Sequence, residues 1–153
     1  MILIRPYADR DSAQLSGVIN QVCADTPWMA TRSFIPTNPW VHAMESTECR
    51  FHSLLVAEHK GDVVGWCRSF PTDCEGLSAL AEIGIGLLAQ YRDRGIGSEL
   101  IMRSLEWANA IGMRIVKLTV SSQNSIAIHV FMKCGFETLQ MNGSEIEMSV
   151  CVS

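Results

Sequence analysis

The chain has 153 residues, enough for one domain that buries about 68–70% of the surface its unfolded form exposes. Its 48% hydrophobic and 18% charged residues are ordinary for a globular protein, so neither disorder nor a disulfide scaffold is required. A net charge of −4 argues against general nucleic-acid binding and is mildly compatible with a cationic substrate.

The longest apolar runs fall far short of the about 20 residues a membrane helix needs. Arg5, Asp9, Arg10 and Asp11 stand where an export signal would need an apolar core. Six cysteines, Cys23, Cys49, Cys67, Cys74, Cys134 and Cys151, form no Cys-x-x-Cys pair and have no histidine partners at zinc spacing. They read as reduced, mostly buried thiols of a cytoplasmic protein without a metal or a membrane partner.

Met1 to Pro6 alternates apolar and polar residues as an edge strand, closed by Pro6. Asp9 or Asp11 is placed to cap a first helix whose buried face is Leu15, Val18, Ile19 and Val22. Residues 25–50 change character: three prolines, Trp28, Phe34, Trp40, His42 and Glu45 follow no clean period. Leu54 to Glu58 and Val63 to Ser69 alternate about a Lys60-Gly61-Asp62 turn, a hairpin signal, and Gly65 suggests a bulge.

Pro71 to Gly76 is a loop into the next strand, Glu82 to Leu87, where Ile83, Ile85 and Leu87 alternate with glycines. A short connector, Leu88 to Tyr91, leads into Arg92-Asp93-Arg94-Gly95-Ile96-Gly97 and then a helix. That helix carries an inner stripe at Gly97, Leu100/Ile101, Ser104/Leu105, Ala108 and Ile111, pairs Glu99 with Arg103 four residues on, and ends at Gly112. Arg114 to Ser121 is β-branched and alternating, so a strand–helix–strand unit with parallel strands is expected. Asn124 is the N-cap of a further helix with Ala127, Val130/Phe131 and Cys134 on one face and Gly135 closing it. Phe136 to Met141 and Glu145 to Val152 form a closing hairpin around Asn142-Gly143.

The turn before the long helix has a specific capability. The first amides of a helix lack internal partners, and the aligned peptide dipoles place roughly half a positive charge there. Gly95 and Gly97 let a phosphate approach the backbone, and Arg92 and Arg94 add full charges beside it. Three or four charge-assisted hydrogen bonds at about 1.5–3 kcal/mol each exceed the dipole contribution, so the turn is a candidate diphosphate cradle. A tight turn that happens to hold two glycines also fits. The P-loop is excluded because no Gly-Lys-Ser/Thr occurs, and the glycines lack the third member of a dinucleotide fingerprint.

Arg92-x-x-Gly95-x-Gly97 resembles the Gln/Arg-x-x-Gly-x-Gly/Ala motif of the GNAT superfamily, the acyl-CoA-dependent N-acetyltransferases. Asn124 to Phe136 resembles that family's Asn-x-x-Ala-x-x-x-Tyr-x-x-x-Gly-Phe segment, and Glu82 to Leu87 its fourth strand. The resemblance covers residues 80–137 well and the rest by pattern. It implies a single N-acetyltransferase domain over residues 1–153, of class α/β (α+β). The implied fold is that of acyl-CoA N-acyltransferases: a mixed, mostly antiparallel sheet of about seven strands, a parallel strand–helix–strand core, and helices on both faces.

The resemblance also implies acetyl-CoA (coenzyme A) as cofactor and an amine-bearing acceptor as partner: a small molecule, an amino acid, a polyamine or a peptide. It implies that Ile85, Gly86 and Leu87 grip the pantetheine arm. Arg92, Asp93, Arg94, Gly95, Ile96, Gly97 and Ser98 would hold the diphosphate, and Asn124 would contact the pantetheine amides. Residues 25–50 help form the acceptor pocket in similar proteins, so Trp28, Phe34 or Trp40 lines it or simply covers the sheet. Dimers are common among similar proteins, and the edge hairpin offers a surface for a homodimer.

Attack on a thioester needs a neutral amine, and freeing a proton from an amine of pKa about 10.4 costs about 4–5 kcal/mol at neutral pH. Glu82 is the candidate general base; it shares strand parity with Gly84 and Gly86. Its alternative is a solvated strand-end carboxylate, and the glycines alone also fit a weak or bulged strand. Phe131 stands where the family has a tyrosine that protonates the leaving thiolate. The thiolate then leaves unassisted or to water, with Phe131 packing on the pantetheine arm; or Cys134 or Ser125 substitutes; or the chain is an acyl-CoA-binding sensor without catalysis. A nucleotide-phosphate binder would share the cradle but not the Asn124–Phe136 match.

Overall fold

A computed structural model of the protein describes residues 1–25, 52–72 and 78–152. Among the described residues seven strands form one sheet: β1 (Ile2–Pro6), β2 (Ser53–His59), β3 (Asp62–Pro71), β4 (Leu80–Leu87), β5 (Ile115–Ser121), β6 (Glu137–Asn142) and β7 (Glu145–Cys151). Their spatial order is β1-β2-β3-β4-β5-β7-β6, with β4 and β5 parallel and the other neighbours antiparallel. Helix α1 (Ser12–Asp25) packs on one face, and α2 (Ile96–Ala110) and α3 (Ser125–Lys133) pack on the other. The expected mixed sheet with a parallel strand–helix–strand core is the fold that forms.

Strand alternation feeds two cores. Cys67, Ala81 and Ile83 meet Leu100, Ile101 and Ala108 of α2, while Leu54, Val56 and Trp66 meet Leu15, Val18 and Ile19 of α1. The anticipated bulge lies beside Gly65: Ala57 pairs with Gly65 but Glu58 with Val63, so Val64 is the extra residue. This shift lets Val63 and Trp66, three positions apart, both face α1. The β2–β3 turn is Lys60-Gly61, with His59 opposite Asp62 and positive φ at both turn residues (53° and 87°), as a two-residue hairpin requires.

Asp11 acts differently from a cap on α1. Its carboxylate accepts the Ala8 N–H at 2.8 Å and a two-pronged bond from Arg5 at 2.8 and 2.9 Å, and α1 begins only at Ser12. Arg5 also reaches Glu58 at 2.9 Å, so one partly buried ion cluster ties β1, β2 and the entry to α1 together. The Arg5 guanidinium holds the Asp11 carboxyl below its usual range.

The inner stripe of α2 matches its expected residues, with Leu100, Ile101, Ser104, Leu105 and Ala108 buried. Glu99 and Arg103 pair at 3.0 Å on its exposed side. The closing hairpin forms with Asn142 paired to Glu145, so Gly143 and Ser144 make the turn. Sequence order does not reveal that β7 enters the sheet between β5 and β6, leaving β6 as an exposed edge. Among the described cysteines, Cys23 and Cys67 are buried, Cys134 is half-buried and Cys151 exposed, all as free thiols. No cluster of His, Cys, Asp and Glu among the described residues could hold a metal ion, and no described helix is long and apolar enough to cross a membrane.

Candidate active site

Strands β4 and β5 pair at Leu80–Ile115, Ala81–Val116 and Glu82–Lys117, and no further. Past Glu82 they part, while β4 stays paired to β3 as far as Leu87. Among the described residues, one edge of β4 therefore runs without a neighbouring strand. The Leu88 N–H bonds the Val64 carbonyl of β3 at 2.9 Å, so the Leu87 carbonyl, across the same trans peptide, faces the gap. Alternation puts the main-chain groups of Ile85 on that side as well and turns those of Gly86 toward β3. Ile85 and Leu87 thus offer the edge, and Gly86 supplies room.

What Gly86 makes room for is Trp66. A Cβ at Gly86 would overlap the indole ring, whose Cζ2 would lie 2.8 Å away. Replacing Gly86 by alanine should destabilise the fold by about 1–3 kcal/mol through overpacking. Thermal unfolding checks this, with a midpoint roughly 3–10 °C lower expected; an unchanged midpoint would mean the indole relocates without cost.

At the carboxyl end of β4 the chain makes a 3-10 turn, Ala89–Tyr91, and reaches the Arg92–Ser98 turn. Asp93 and Gly95 both have positive φ, at 61° and 81°. Gly95 is the N-cap of α2 without any side-chain cap, and the first helical bond is Glu99 N–H to the Gly95 carbonyl at 3.1 Å. The amides of Ile96, Gly97 and Ser98 consequently have no carbonyl one turn earlier to bond. Among the described residues a Cβ on Gly95 would meet nothing within 4 Å, so they leave the mouth of this turn open. Ile96 is buried and pins the turn to the core.

The two arginines differ. Arg92 folds back, its Nε and Nη2 donating to the Leu87 carbonyl at 3.2 and 3.0 Å, and so closes the top of the gap. Arg94 is exposed and stands 5.6 Å from the centroid of the Tyr91 ring. Tyr91 is in turn fixed by His59, whose Nδ1 lies 2.9 Å from the phenol oxygen. The tether to the β2–β3 hairpin carries no sequence signal, because it joins residues 32 apart, whereas the Arg92 bond is local and closes across the Ala89–Tyr91 turn.

Because β4 and β5 are parallel, the helices that follow them open at the same end of the sheet. Asn124 caps α3 as expected, its Oδ1 accepting the Ala127 N–H at 3.2 Å, which leaves its amide NH2 to donate elsewhere. Phe131 is 7% exposed and packs against Phe136 at 5.9 Å between ring centroids. Ser125 is exposed on the first turn of α3 and half-buried Cys134 follows its last.

Glu82 sits where the strands separate, about 16 Å along β4 from Leu87 at 3.3 Å per residue. It is half-buried on the α1 side of the sheet and stands opposite Phe70 of β3 and Lys117 of β5. Arg68 shares that face. Its guanidinium lies 4.2 Å from the Phe70 ring centroid, and burial pushes its pKa down to about 10, Glu82 nearby opposing the shift. Lys117 pairs with Glu147 of β7 at 3.8 Å. Trp28, Phe34 and Trp40 lie outside the described residues.

The model of the acetyltransferase (GNAT) family matches residues 21–136. The L-methionine sulfoximine/L-methionine sulfone acetyltransferase of Salmonella typhimurium is 24% identical over 88% of this chain and 81% of its own length. An uncharacterized N-acetyltransferase of Methanocaldococcus jannaschii is 33% identical over 54% of this chain, a match that spans only 38% of that relative. Among solved structures, that of yncA from Salmonella typhimurium, determined with its cofactor acetyl-CoA, superposes with a TM-score of 0.85 at 18% identity, covering 100% of this chain and 95% of the other.

Proposed function

The chain belongs to the acetyltransferase (GNAT) family, and from that membership we propose that it moves an acetyl group from acetyl-CoA to the primary amine of an amino-acid-like acceptor, with Glu82 as general base. The observation that carries this reading is the early parting of β4 and β5 beside two helix N-termini. The exposed edge of β4 suits an amide-bearing arm, and the amides of Ile96, Gly97 and Ser98 with Arg94 suit a diphosphate. The residues present therefore fit coenzyme A.

When bound, acetyl-CoA supplies a thioester carbonyl already activated toward amines. The chain's part is to position, to take a proton and to exclude water. Ile85 and Leu87 hold the arm along β4, so that its end lies toward Glu82. The Glu82 carboxylate accepts the proton that the acceptor's ammonium must lose, directly or through a water. The new C–N bond forms as the C–S bond breaks, and the second proton of the nitrogen passes to water or to the departing sulfur. Phe131 offers no proton, and the departing sulfur, with a thiol pKa near 8.5, leaves as thiolate or takes a proton from water. An amino-acid acceptor is supported by the name of the Salmonella relative, whose two substrates are amino acids.

The test has two arms. Acetyl-CoA at about 100 times its dissociation constant should raise the unfolding midpoint by about 5–10 °C, from roughly 2.7 kcal/mol of linkage. Free CoA thiol should then appear when the twenty L-amino acids and L-methionine sulfone are added. Stabilisation by ATP and not by CoA esters would end the cofactor assignment. Stabilisation by acetyl-CoA with no thiol release from any amine would convert the reading to an acyl-CoA sensor.

A further inference from the structure

One aromatic ring stands between the β2–β3 hairpin and the turn that suits the diphosphate. Tyr91 ends the 3-10 turn that leads into Arg92–Ser98, and its phenol oxygen lies 2.9 Å from Nδ1 of His59, 32 residues earlier at the end of β2. The two rings meet edge to face, with centroids 5.4 Å apart and planes at 67°. The Arg94 guanidinium lies over the same tyrosine ring, 5.6 Å from its centroid. We propose that Tyr91, fixed by His59, is a positioning residue that holds Arg94 ready for the cofactor's diphosphate. This assignment rests on the acetyl-CoA reading above and deepens its cofactor site.

Three observations support this. First, the Arg94 contact falls within the about 6 Å over which a guanidinium is drawn to an aromatic face. Such a contact restrains the cation and leaves its fork of N–H donors to meet phosphate oxygens in pairs. Second, Tyr91 is itself held. His59 fixes the phenol oxygen, the Tyr91 N–H bonds the Leu88 carbonyl at 2.9 Å, and the Leu88 N–H bonds the Val64 carbonyl of β3 at 2.9 Å. Third, the support comes from the sheet. His59 is paired with Asp62 across the Lys60-Gly61 turn, and Gly65 of β3 is paired with Leu87 of β4, so the hairpin reaches the end of β4 from which the Arg92–Ser98 turn departs. An exposed arginine loses rotamer freedom when it grips an anion, and ordering it beforehand removes that cost from binding.

Calorimetric titration with acetyl-CoA tests this in the parent chain and in Tyr91→Leu, Tyr91→Phe, His59→Leu and Arg94→Met. Tyr91→Leu should weaken binding about 3- to 10-fold, the factor for ordering one long side chain on association. In an Arg94→Met background the same substitution should cost less than about twofold, because the ring then has no cation to hold. Tyr91→Phe keeps the ring and should recover part of the loss. His59→Leu removes the same hydrogen bond from its other end and should match Tyr91→Phe. Unchanged affinity in Tyr91→Leu, or the full loss repeated without Arg94, would overturn the assignment, since a merely structural role of the ring is indifferent to Arg94. If Arg94→Met binds too weakly to titrate, Tyr91→Phe decides, and an affinity no better than that of Tyr91→Leu overturns the assignment. If Tyr91→Leu fails to fold, His59→Leu carries the comparison in both backgrounds. A parent chain that does not bind acetyl-CoA would end the cofactor assignment and this one with it. Binding by the parent without coupling between Tyr91 and Arg94 would end this one alone.

Discussion

Glu82→Gln is expected to lower kcat about 100- to 1,000-fold at neutral pH, within the range that a positioned general base contributes, while the KM for acetyl-CoA stays within about threefold. The split follows from geometry. Glu82 sits where β4 and β5 part, whereas the proposed cofactor contacts begin at Ile85 and end in the α2 turn. Glutamine keeps the shape and the strand but cannot take a proton. An amine of pKa about 10.4 is almost wholly protonated at pH 7, so the variant depends on the small neutral fraction that solvent provides. That fraction rises about tenfold per pH unit, so the gap between the variant and the parent should narrow toward pH 9. Steady-state kinetics across that range decide the matter. Equal loss in kcat and in acetyl-CoA affinity would make Glu82 structural, and no loss in either would make it a solvated strand-end carboxylate.

Gly95→Asp should abolish measurable stabilisation by acetyl-CoA, corresponding to a loss of affinity of at least about 100-fold. Two effects combine. Gly95 holds φ at 81°, a region that costs a residue with a side chain roughly 1–2 kcal/mol. The new carboxylate would also project into the open mouth where three unpaired amides and Arg94 face outward, repelling a diphosphate at close range. Gly95→Asn separates these contributions, because asparagine has the same shape, tolerates positive φ and carries no charge. The asparagine variant should keep most of the affinity. Calorimetric titration with acetyl-CoA would reject the cradle if the aspartate variant bound as tightly as the parent. Equal losses in both variants would assign the effect to backbone strain instead.

Much of this architecture can be read along the chain because its causes are local. The α2 stripe, the Asn124 cap and the Lys60-Gly61 turn each depend on residues within a few positions of one another. Asp11 shows where local reading stops. A carboxylate before a helix looks like its cap, yet Asp11 lies inside the short turn that leads into α1, where it accepts the Ala8 N–H together with a two-pronged bond from an arginine on β1 that no local pattern reveals. Arg92, expected to hold a phosphate beside the two glycines, also donates from Nε and Nη2 to the Leu87 carbonyl.

By itself, then, the order of residues determined the helix and strand periods, the open amides after Gly95 and the family to which they belong. Tertiary structure alone decided that β5 leaves β4 after Glu82, that Trp66 lies over Gly86, and that Arg68 and Glu82 share a face across two strands. The reason is the range of the forces involved. Backbone sterics and side-chain periodicity act within a turn or a strand, whereas register between strands is set by burial on both faces at once, which no single stretch of the chain encodes.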